Sequence, residues 1–236
     1  MTRARWGALA ALLFLLIGVG ALALTASERA HPSPKPRLAL LTSLPIVLGE
    51  DFGLKDNGSP ALTALSVQFE VVPISTTSAK DLSKERLLLL AQPPAQAPEN
   101  LVALDDWVRA GGRVLLLADP LLEWPSKRPL GDPLRPPPMF TDTGLLGHWG
   151  LRLDAPDQLG PAIRSLAGHR IVTASPGAFY GNCEISADRL VADCRIGKGR
   201  AVVVADADLL NAGNLGAEAH DNLSAVTQEL VEVASR

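Results

Sequence analysis

The sequence is poor in the residues that usually build metal sites and in clustered basic residues. Its four histidines show no metal-ligand spacing, which argues against a zinc site; they are His31, His148, His169 and His220. The net charge is −3 at pH 7, and no dense run of Lys and Arg could follow a phosphate backbone. We therefore expect no metal, no cofactor and no nucleic-acid partner.

Charge is also missing from a long stretch near the amino terminus. No charged residue lies between Arg5 and Glu28, and Trp6–Ala26 is apolar apart from three glycines and one threonine. As a helix this stretch would span about 31 Å, enough to cross a bilayer. Residues 1–27 therefore predict a single-pass inner-membrane anchor, with the rest of the chain in the periplasm. Ala21–Ala23 also suits signal-peptide cleavage, so retention and removal of the segment both stay open.

The chain after this segment divides into a linker and one domain. Residues 28–36 form a Pro-rich linker, because three prolines in HPSPKP exclude a regular helix. Residues 37–236 form a domain of about 200 residues, which is long enough to bury its own core.

Short apolar runs and helical patterns alternate along this domain. The string PENLVALDDWVRAGG predicts a helix with Pro98 in its first turn and a stop at Gly111-Gly112. A last helix is predicted over 223–233, with Asp221 or Asn222 as its cap. The predicted buried strands are Arg37–Thr42, Phe69–Ile74, Arg86–Ala91, Arg113–Ala118 and Arg200–Ala205. Such alternation indicates an α/β domain with a largely parallel sheet.

Two strings in this pattern carry a family resemblance. LDDWVRAGGRVLLLADP, followed about 80 residues later by GKGRAVVVADADLLNAGNL, resembles the glutamine-amidotransferase-like superfamily. Within it, the chain is similar to membrane-anchored bacterial domains of unknown function related to auxiliary proteins of gliding-type ABC transporters. The resemblance covers residues 37–236. It implies a flavodoxin-like three-layer sandwich, often without catalytic activity, and an envelope protein partner, with ABC transporter subunits among the candidates.

The catalytic pattern of that superfamily is not found in this sequence. Its nucleophile would follow the strand Arg86–Ala91, where this chain has Gln92-Pro93-Pro94. Cys183 lies in Gly-Asn-Cys-Glu-Ile, which matches half of the Gly-x-Cys-x-Gly elbow. The expected downstream His-x-Glu pair is also not found, since His220 is followed by Asp and Asn. We therefore expect no catalytic residues.

The two cysteines have a structural interpretation. If Asp188 and Arg189 form the tip of a two-residue β-hairpin, Cys183 and Cys194 face each other across its strands. Facing Cα atoms lie about 4.5–5.5 Å apart, which a disulfide can span. We expect this bond in an exported domain, while two free thiols or a nucleophilic Cys183 remain alternatives.

A candidate ligand site is predicted at the edge where the parallel strands end. Asp119 and Asp206 each follow an apolar strand, so both carboxylates should lie at the carboxyl edge of the sheet. Asp208 and Asn211 follow Asp206 in the next loop. These oxygens could bind a polar ligand or a hard cation, or they could cap the loops that follow the strands.

The segment 119–142 (DPLLEWPSKRPLGDPLRPPPMFTD) contains seven prolines and begins at this same edge. It is either an insertion packed over the core or a lid or contact surface, and its large apolar residues Trp124, Met139 and Phe140, with Trp149 shortly after it, give it apolar area. The sequence thus predicts a non-catalytic, membrane-tethered envelope module that binds a protein or ligand, accessory to ABC-type transport or envelope assembly. The alternative is a hydrolase that uses the edge carboxylates.

Overall fold

The computed structural model describes residues 34–49 and 59–235. The predicted membrane segment, 1–27, and most of the predicted linker, 28–36, lie outside the described residues. Within the described part, no helix is both long and apolar enough to span a membrane. Pro36–Arg236 forms one compact unit, to which all the elements below belong.

The strands of the described residues are β1 (Arg37–Thr42), β2 (Glu70–Pro73), β3 (Leu87–Ala91), β4 (Arg113–Leu117), β5 (Leu151–Asp154), β6 (Pro161–Leu166), β7 (His169–Ala174), β8 (Ala178–Gly181), β9 (Glu184–Ile185), β10 (Val191–Ile196) and β11 (Gly199–Val204). The helices are α1 (Pro60–Gln68), α2 (Ala79–Leu82), α3 (Pro98–Arg109), α4 (Leu145–His148) and α5 (Asn222–Ser235). Two 3₁₀ turns, Asp208–Leu210 and Ala217–Ala219, lie between β11 and α5.

The central sheet has seven strands in the order β2-β1-β3-β4-β11-β10-β9. The first five strands in this order run parallel, and β10 and β9 add an antiparallel extension at one edge. This arrangement confirms the predicted α/β class with a mostly parallel sheet. The central strands read as continuous apolar runs because both faces are covered, and all five residues of β3 are buried.

Glycines set the junctions between α3 and the strands beside it. Gly111 ends the helix at a φ of +122°, as predicted. Gly112 has no room for a side chain, since a Cβ would lie 2.3 Å from the Trp107 ring. Gly199 has no room for a side chain either, since a Cβ there would lie 1.9 Å from the carbonyl oxygen of Val108. The turn Gly197-Lys198-Gly199 is therefore packed against the end of α3.

The predicted hairpin has the expected register. Ile185 pairs with Ala192, and Cys183 is bonded to Cys194 with 4.8 Å between their Cα atoms. The two-residue tip, however, is wrong. The loop covers residues 187–190, because Leu190 turns into the core and its carbonyl oxygen accepts a hydrogen bond from the N–H of Ala205 (2.9 Å).

Of the two residues predicted to cap the last helix, Asp221 directly precedes α5 and its carbonyl oxygen accepts the N–H of Ala225 (2.9 Å), whereas Asn222 has a different role. Asn222 is the first residue of α5, and its amide bonds the N–H and C=O of Val172 (2.9 and 2.7 Å) and the C=O of Leu209 (3.2 Å). It therefore ties α5 to β7. Strand β7 pairs with β6, and β5 pairs with β8, in two small antiparallel sheets that the sequence did not predict.

Candidate functional site

Three of the four predicted site residues meet at the carboxyl edge of the sheet. Asp119 follows β4 and Asp206 follows β11, and these two strands are parallel neighbours. Asp208 begins the next 3₁₀ turn, and its N–H lies 3.4 Å from Oδ2 of Asp119. All three side chains are buried. Asn211 stands apart: it is half-buried at the end of that turn, where its N–H donates to the carbonyl oxygen of Asp208 (2.7 Å).

Asp119 joins two loops through its carboxylate. Its Oδ2 accepts a hydrogen bond from the N–H of Ala207 (2.8 Å), and its Oδ1 accepts one from the N–H of Leu121 (2.9 Å). The first bond reaches the chain after β11, and the second holds the start of the Pro-rich segment. Asp119 is therefore a buried cap of two loop backbones.

Asp206 and Asp208 accept hydrogen bonds in the same manner. Asp206 binds the N–H of Leu209 through Oδ1 and that of Ala174 through Oδ2, both at 2.8 Å. Oδ2 of Asp208 accepts from the N–H of Glu123 at 2.6 Å. The three carboxylates thus fasten β7, the Pro-rich segment and the 3₁₀ turn to the end of the sheet.

This burial perturbs the acidities of the cluster. Loss of hydration raises the pKa of Asp119 to about 6 and that of Asp208 to about 7. The pKa of Asp206 is raised well above its ordinary value by complete burial and by the negative charge of Asp119. The backbone N–H groups that bind each carboxylate oppose the shift. The three carboxyl groups therefore lose their protons at a higher pH than ordinary exposed aspartates do.

Two further residues at this edge, Ser175 and Glu123, were missed by sequence reasoning. Ser175 is buried with a φ of +46°, and its hydroxyl donates to Oε1 of Glu123. The same Oγ accepts the N–H of Gly160 (2.8 Å). Nothing local in the sequence marks Ser175, since its place depends on how β6 and β7 pair.

Gln92 occupies the position after β3 where the resemblance places a nucleophile. It has a φ of +43° and is fully buried. Its Oε1 accepts the N–H of Asp119 (3.0 Å), while its Nε2 donates to the carbonyl oxygens of Asp119 (3.3 Å) and Pro137 (3.4 Å). A non-glycine residue at positive φ is strained, and here the amide hydrogen bonds hold it in place.

The crevice between β1 and β3 is bridged by hydrogen bonds. The strand order reverses between these strands, which is where open α/β sheets commonly bind ligands. Here the hydroxyl of Thr42 donates to the carbonyl oxygen of Ala91 (2.7 Å), and the N–H of Ser43 donates to that of Gln92 (3.3 Å). A groove of about 240 Å³ remains beside the loop after β1, with Arg128 and Leu134 on its far wall.

The Pro-rich segment 119–142 covers the edge. The N–H of Leu122 bonds the C=O of Pro138 (2.9 Å), and the N–H of Phe140 bonds that of Asp119 (2.6 Å). Trp124 and Phe140 pack against the core, and Trp149, beyond the segment, is buried. These contacts favour the packed insertion over a mobile lid. The segment also leaves three apolar side chains strongly exposed, which are Leu130, Leu134 and Met139.

Neither a thiol nucleophile nor a metal cage is formed by the described residues. Both cysteines are in the disulfide. His220 is exposed, and its Nδ1 lies 3.1 Å from the carbonyl oxygen of Ala217. In the part of the chain that the structure describes, no group of three or more His, Cys, Asp or Glu could hold a metal ion.

No family model matches the chain, and no curated protein matches it. Among solved structures, exo-β-1,4-mannosidase Op5Man5 from Opitutaceae bacterium strain TAV5 is 12% identical with a TM-score of 0.51. That match covers 85% of this chain but only 36% of the mannosidase, so the chain spans about a third of that enzyme.

Two smaller proteins match over nearly their whole length. Cytoplasmic Protein STM1381 from Salmonella typhimurium LT2 is 10% identical with a TM-score of 0.54, covering 84% of this chain and 99% of its own. Cytoplasmic Protein STM3548 from Salmonella typhimurium is 8% identical with a TM-score of 0.50, covering 84% and 98%. At such identities the likeness concerns the fold alone.

Proposed function

We propose that this chain is a non-catalytic, membrane-tethered module of the bacterial envelope that binds a protein or ligand, accessory to ABC-type transport or envelope assembly. The observation that carries the proposal is Gln92. Gln92 has the strained backbone expected at the nucleophile position after β3, but its side chain is an amide that is buried and hydrogen-bonded to the backbone of Asp119 and Pro137. A side chain held in this way offers no nucleophile to a substrate.

The order of the parallel strands supports the finer assignment of the fold. Numbered along the sheet as 2-1-3-4-5, β2, β1, β3, β4 and β11 follow the order of flavodoxin-like sheets. With helices on both faces, such a sheet is a three-layer sandwich. This order and the elbow-like Gln92 are the support for membership in the glutamine-amidotransferase-like superfamily.

The disulfide supports export to the periplasm. Disulfides persist in oxidising compartments and are rare in the cytosol. Cys183 and Cys194 lie at facing positions of a hairpin, so the bond forms without displacement of the backbone. Together with the charge-free run at Trp6–Ala26, this favours a domain held outside the inner membrane by its amino-terminal segment.

The exposed end of the Pro-rich segment is the surface we propose for binding. Leu134 and Met139 are each more than half exposed, and Leu134 also lines the groove beside the loop after β1. Exposed apolar groups next to a groove are typical of protein contact surfaces. The carboxylates beneath would then fix the shape of this surface without touching the partner.

The hydrolase alternative has one observation in its favour. A carboxyl group with a pKa of about 7, as in Asp208, suits general acid–base catalysis at neutral pH. Its burial opposes this role, because a substrate would have to displace the Pro-rich segment to reach it.

Turnover assays separate the two functions. We expect the purified protein to leave glutamine, esters, peptides and β-mannosides unchanged. Turnover that is lost in Asp119→Asn and Asp206→Asn, but kept in a variant of an exposed capping carboxylate, Asp142→Asn, would contradict the non-catalytic proposal.

A further inference from the structure

A pocket lined by basic residues lies at the opposite edge of the sheet, where the parallel strands begin. Its volume is about 510 Å³, within the range of small-ligand sites. The starts of β1, β3 and β4 and the end of α5 form its wall. Four cationic side chains line it, which are Arg37, Lys84, Arg86 and Arg113.

Among the residues that the structure describes, a carboxylate contact neutralises one of these four cations, Arg37. Arg37 pairs with Glu70 (3.1 Å) and with the buried Glu85 (2.6 Å). Arg113 donates from Nη1 to the carbonyl oxygens of Gly111 (3.0 Å) and Lys198 (3.2 Å), and its buried Nε has no partner among the described residues.

Lys84 and Arg86 lie on the turn that leads into β3. Both are exposed, and neither makes a side-chain hydrogen bond or ion pair with any residue that the structure describes. Together with Arg113 they form a group of three cations without a carboxylate partner, in a protein whose net charge is −3. Lys84 and Arg86 precede β3 and Arg113 begins β4, so the group does not appear as a basic run in the sequence.

The course of the chain indicates which anion is available to this pocket. Pro36 lines the pocket and is the first residue of the compact unit. The nine residues 28–36 connect it to the predicted membrane segment, and an extended Pro-rich linker of that length reaches at most about 28 Å. Basic groups held close to a bilayer are attracted to its anionic headgroups.

We infer that this basic pocket binds the phosphate headgroups of anionic phospholipids and so docks the domain on the membrane. The inference rests on the proposed membrane tether. Phosphate oxygens would accept hydrogen bonds from Lys84 and Arg86 and would offset the charge of Arg113. The carboxyl edge, which is the proposed contact surface, lies at the other end of the strands and stays exposed for a partner.

The test places the full chain in nanodiscs and uses acetylation of Lys84 as the readout. Discs that contain phosphatidylglycerol should protect Lys84, whereas discs of phosphatidylcholine alone should not. Lys127, in the Pro-rich segment at the carboxyl edge, is the internal reference and should react equally in both. Addition of salt should remove the protection, since exposed charges are screened.

Two variants that each remove one positive charge, one in the pocket and one at the opposite edge, provide the matched comparison. Arg86→Gln should lower the ratio of protected to reactive Lys84 about fivefold, the effect of one charge near a membrane surface. Lys127→Gln removes the same charge at the other edge and should leave the ratio unchanged. An equal effect of the two variants would overturn the inference, because it would show a response to net charge alone.

The remaining outcomes separate this inference from the proposed function. If the full chain is not retained in discs of either lipid, the membrane tether fails, and the docking inference fails with it. If the chain is retained in both and Lys84 reacts equally, the docking inference alone fails. Protection by free glycerol 3-phosphate in phosphatidylcholine discs would assign the pocket to a soluble phosphate and would also overturn lipid docking.

Discussion

Replacement of Asp208 by asparagine should change how the stability of the protein depends on pH. Burial raises the pKa of this carboxyl from 3.8 to about 7. Because the folded-state pKa lies above the unfolded value, the folded protein binds more protons between these two pKa values. Its stability therefore falls as the pH rises through that range, and Asp208→Asn removes this contribution.

The size of the effect follows from the shift. A change from 3.8 to about 7 corresponds to about 4 kcal/mol between acid and neutral pH, at about 1.4 kcal/mol per pKa unit. Asparagine keeps an oxygen for the N–H of Glu123, but its buried NH₂ costs about 1–3 kcal/mol at every pH. The variant should thus be less stable than the wild type at acid pH and more stable at pH 8.

Urea unfolding followed by tryptophan fluorescence at a series of pH values measures this difference. The free energies of unfolding of wild type and Asp208→Asn should cross as the pH rises. Asp142→Asn is the matched control, since Asp142 is exposed and accepts the N–H of Gly144 (2.9 Å), and its profile should run parallel to the wild type. Parallel profiles for Asp208→Asn and wild type would refute the buried-carboxylate reasoning.

Three further predictions concern the disulfide, Gln92 and the membrane topology of the chain. Joint replacement of Cys183 and Cys194 by serine should lower the free energy of unfolding by about 3 kcal/mol, because the loop is no longer closed in the unfolded chain; an unchanged urea midpoint would contradict this. Gln92→Ala should cost about 2–3 kcal/mol in the same assay by leaving the buried N–H of Asp119 unpaired, and a cost below about 0.5 kcal/mol would show that the amide bonds are unimportant. A topology reporter fused after Arg236 should be active only in the exported compartment, and cytoplasmic activity would refute the tether.

The central sheet was predictable because its strands are buried on both faces. Runs such as Leu87–Ala91 leave little choice of structure when glycine or proline bounds them. The hairpin register followed from the positions of the two cysteines, since facing residues of an antiparallel pair have a constant sum of numbers. These inferences need only local sequence and pairing geometry.

The small antiparallel sheets were not predictable in this way. Strands β6 and β7 are joined by Ala167-Gly168, both at positive φ (+48° and +77°), which suits a two-residue hairpin turn. Asparagine or aspartate usually stands where Ala167 lies, so the turn has no sequence signal. The pairing of β6 with β7 on both sides of the turn holds this alanine at positive φ.

The candidate site was predictable in position but not in its detail. Asp119 and Asp206 had to share an edge because they end parallel strands. Which groups their oxygens bind depends on the path of the Pro-rich segment, and no local pattern specifies that path. The involvement of Glu123, Ser175 and Gln92 therefore emerges only from the folded chain.

Purification of the full chain from detergent-solubilised membranes tests the central claim most directly. Wild type should retain an envelope protein at a constant ratio, and Leu134→Ser with Met139→Ser should release it. Val102→Ser alters an equally exposed apolar residue on α3 and should keep the partner. Recovery of the chain from the soluble fraction, or equal partner retention in all three forms, would contradict a membrane-tethered module that binds through its carboxyl edge.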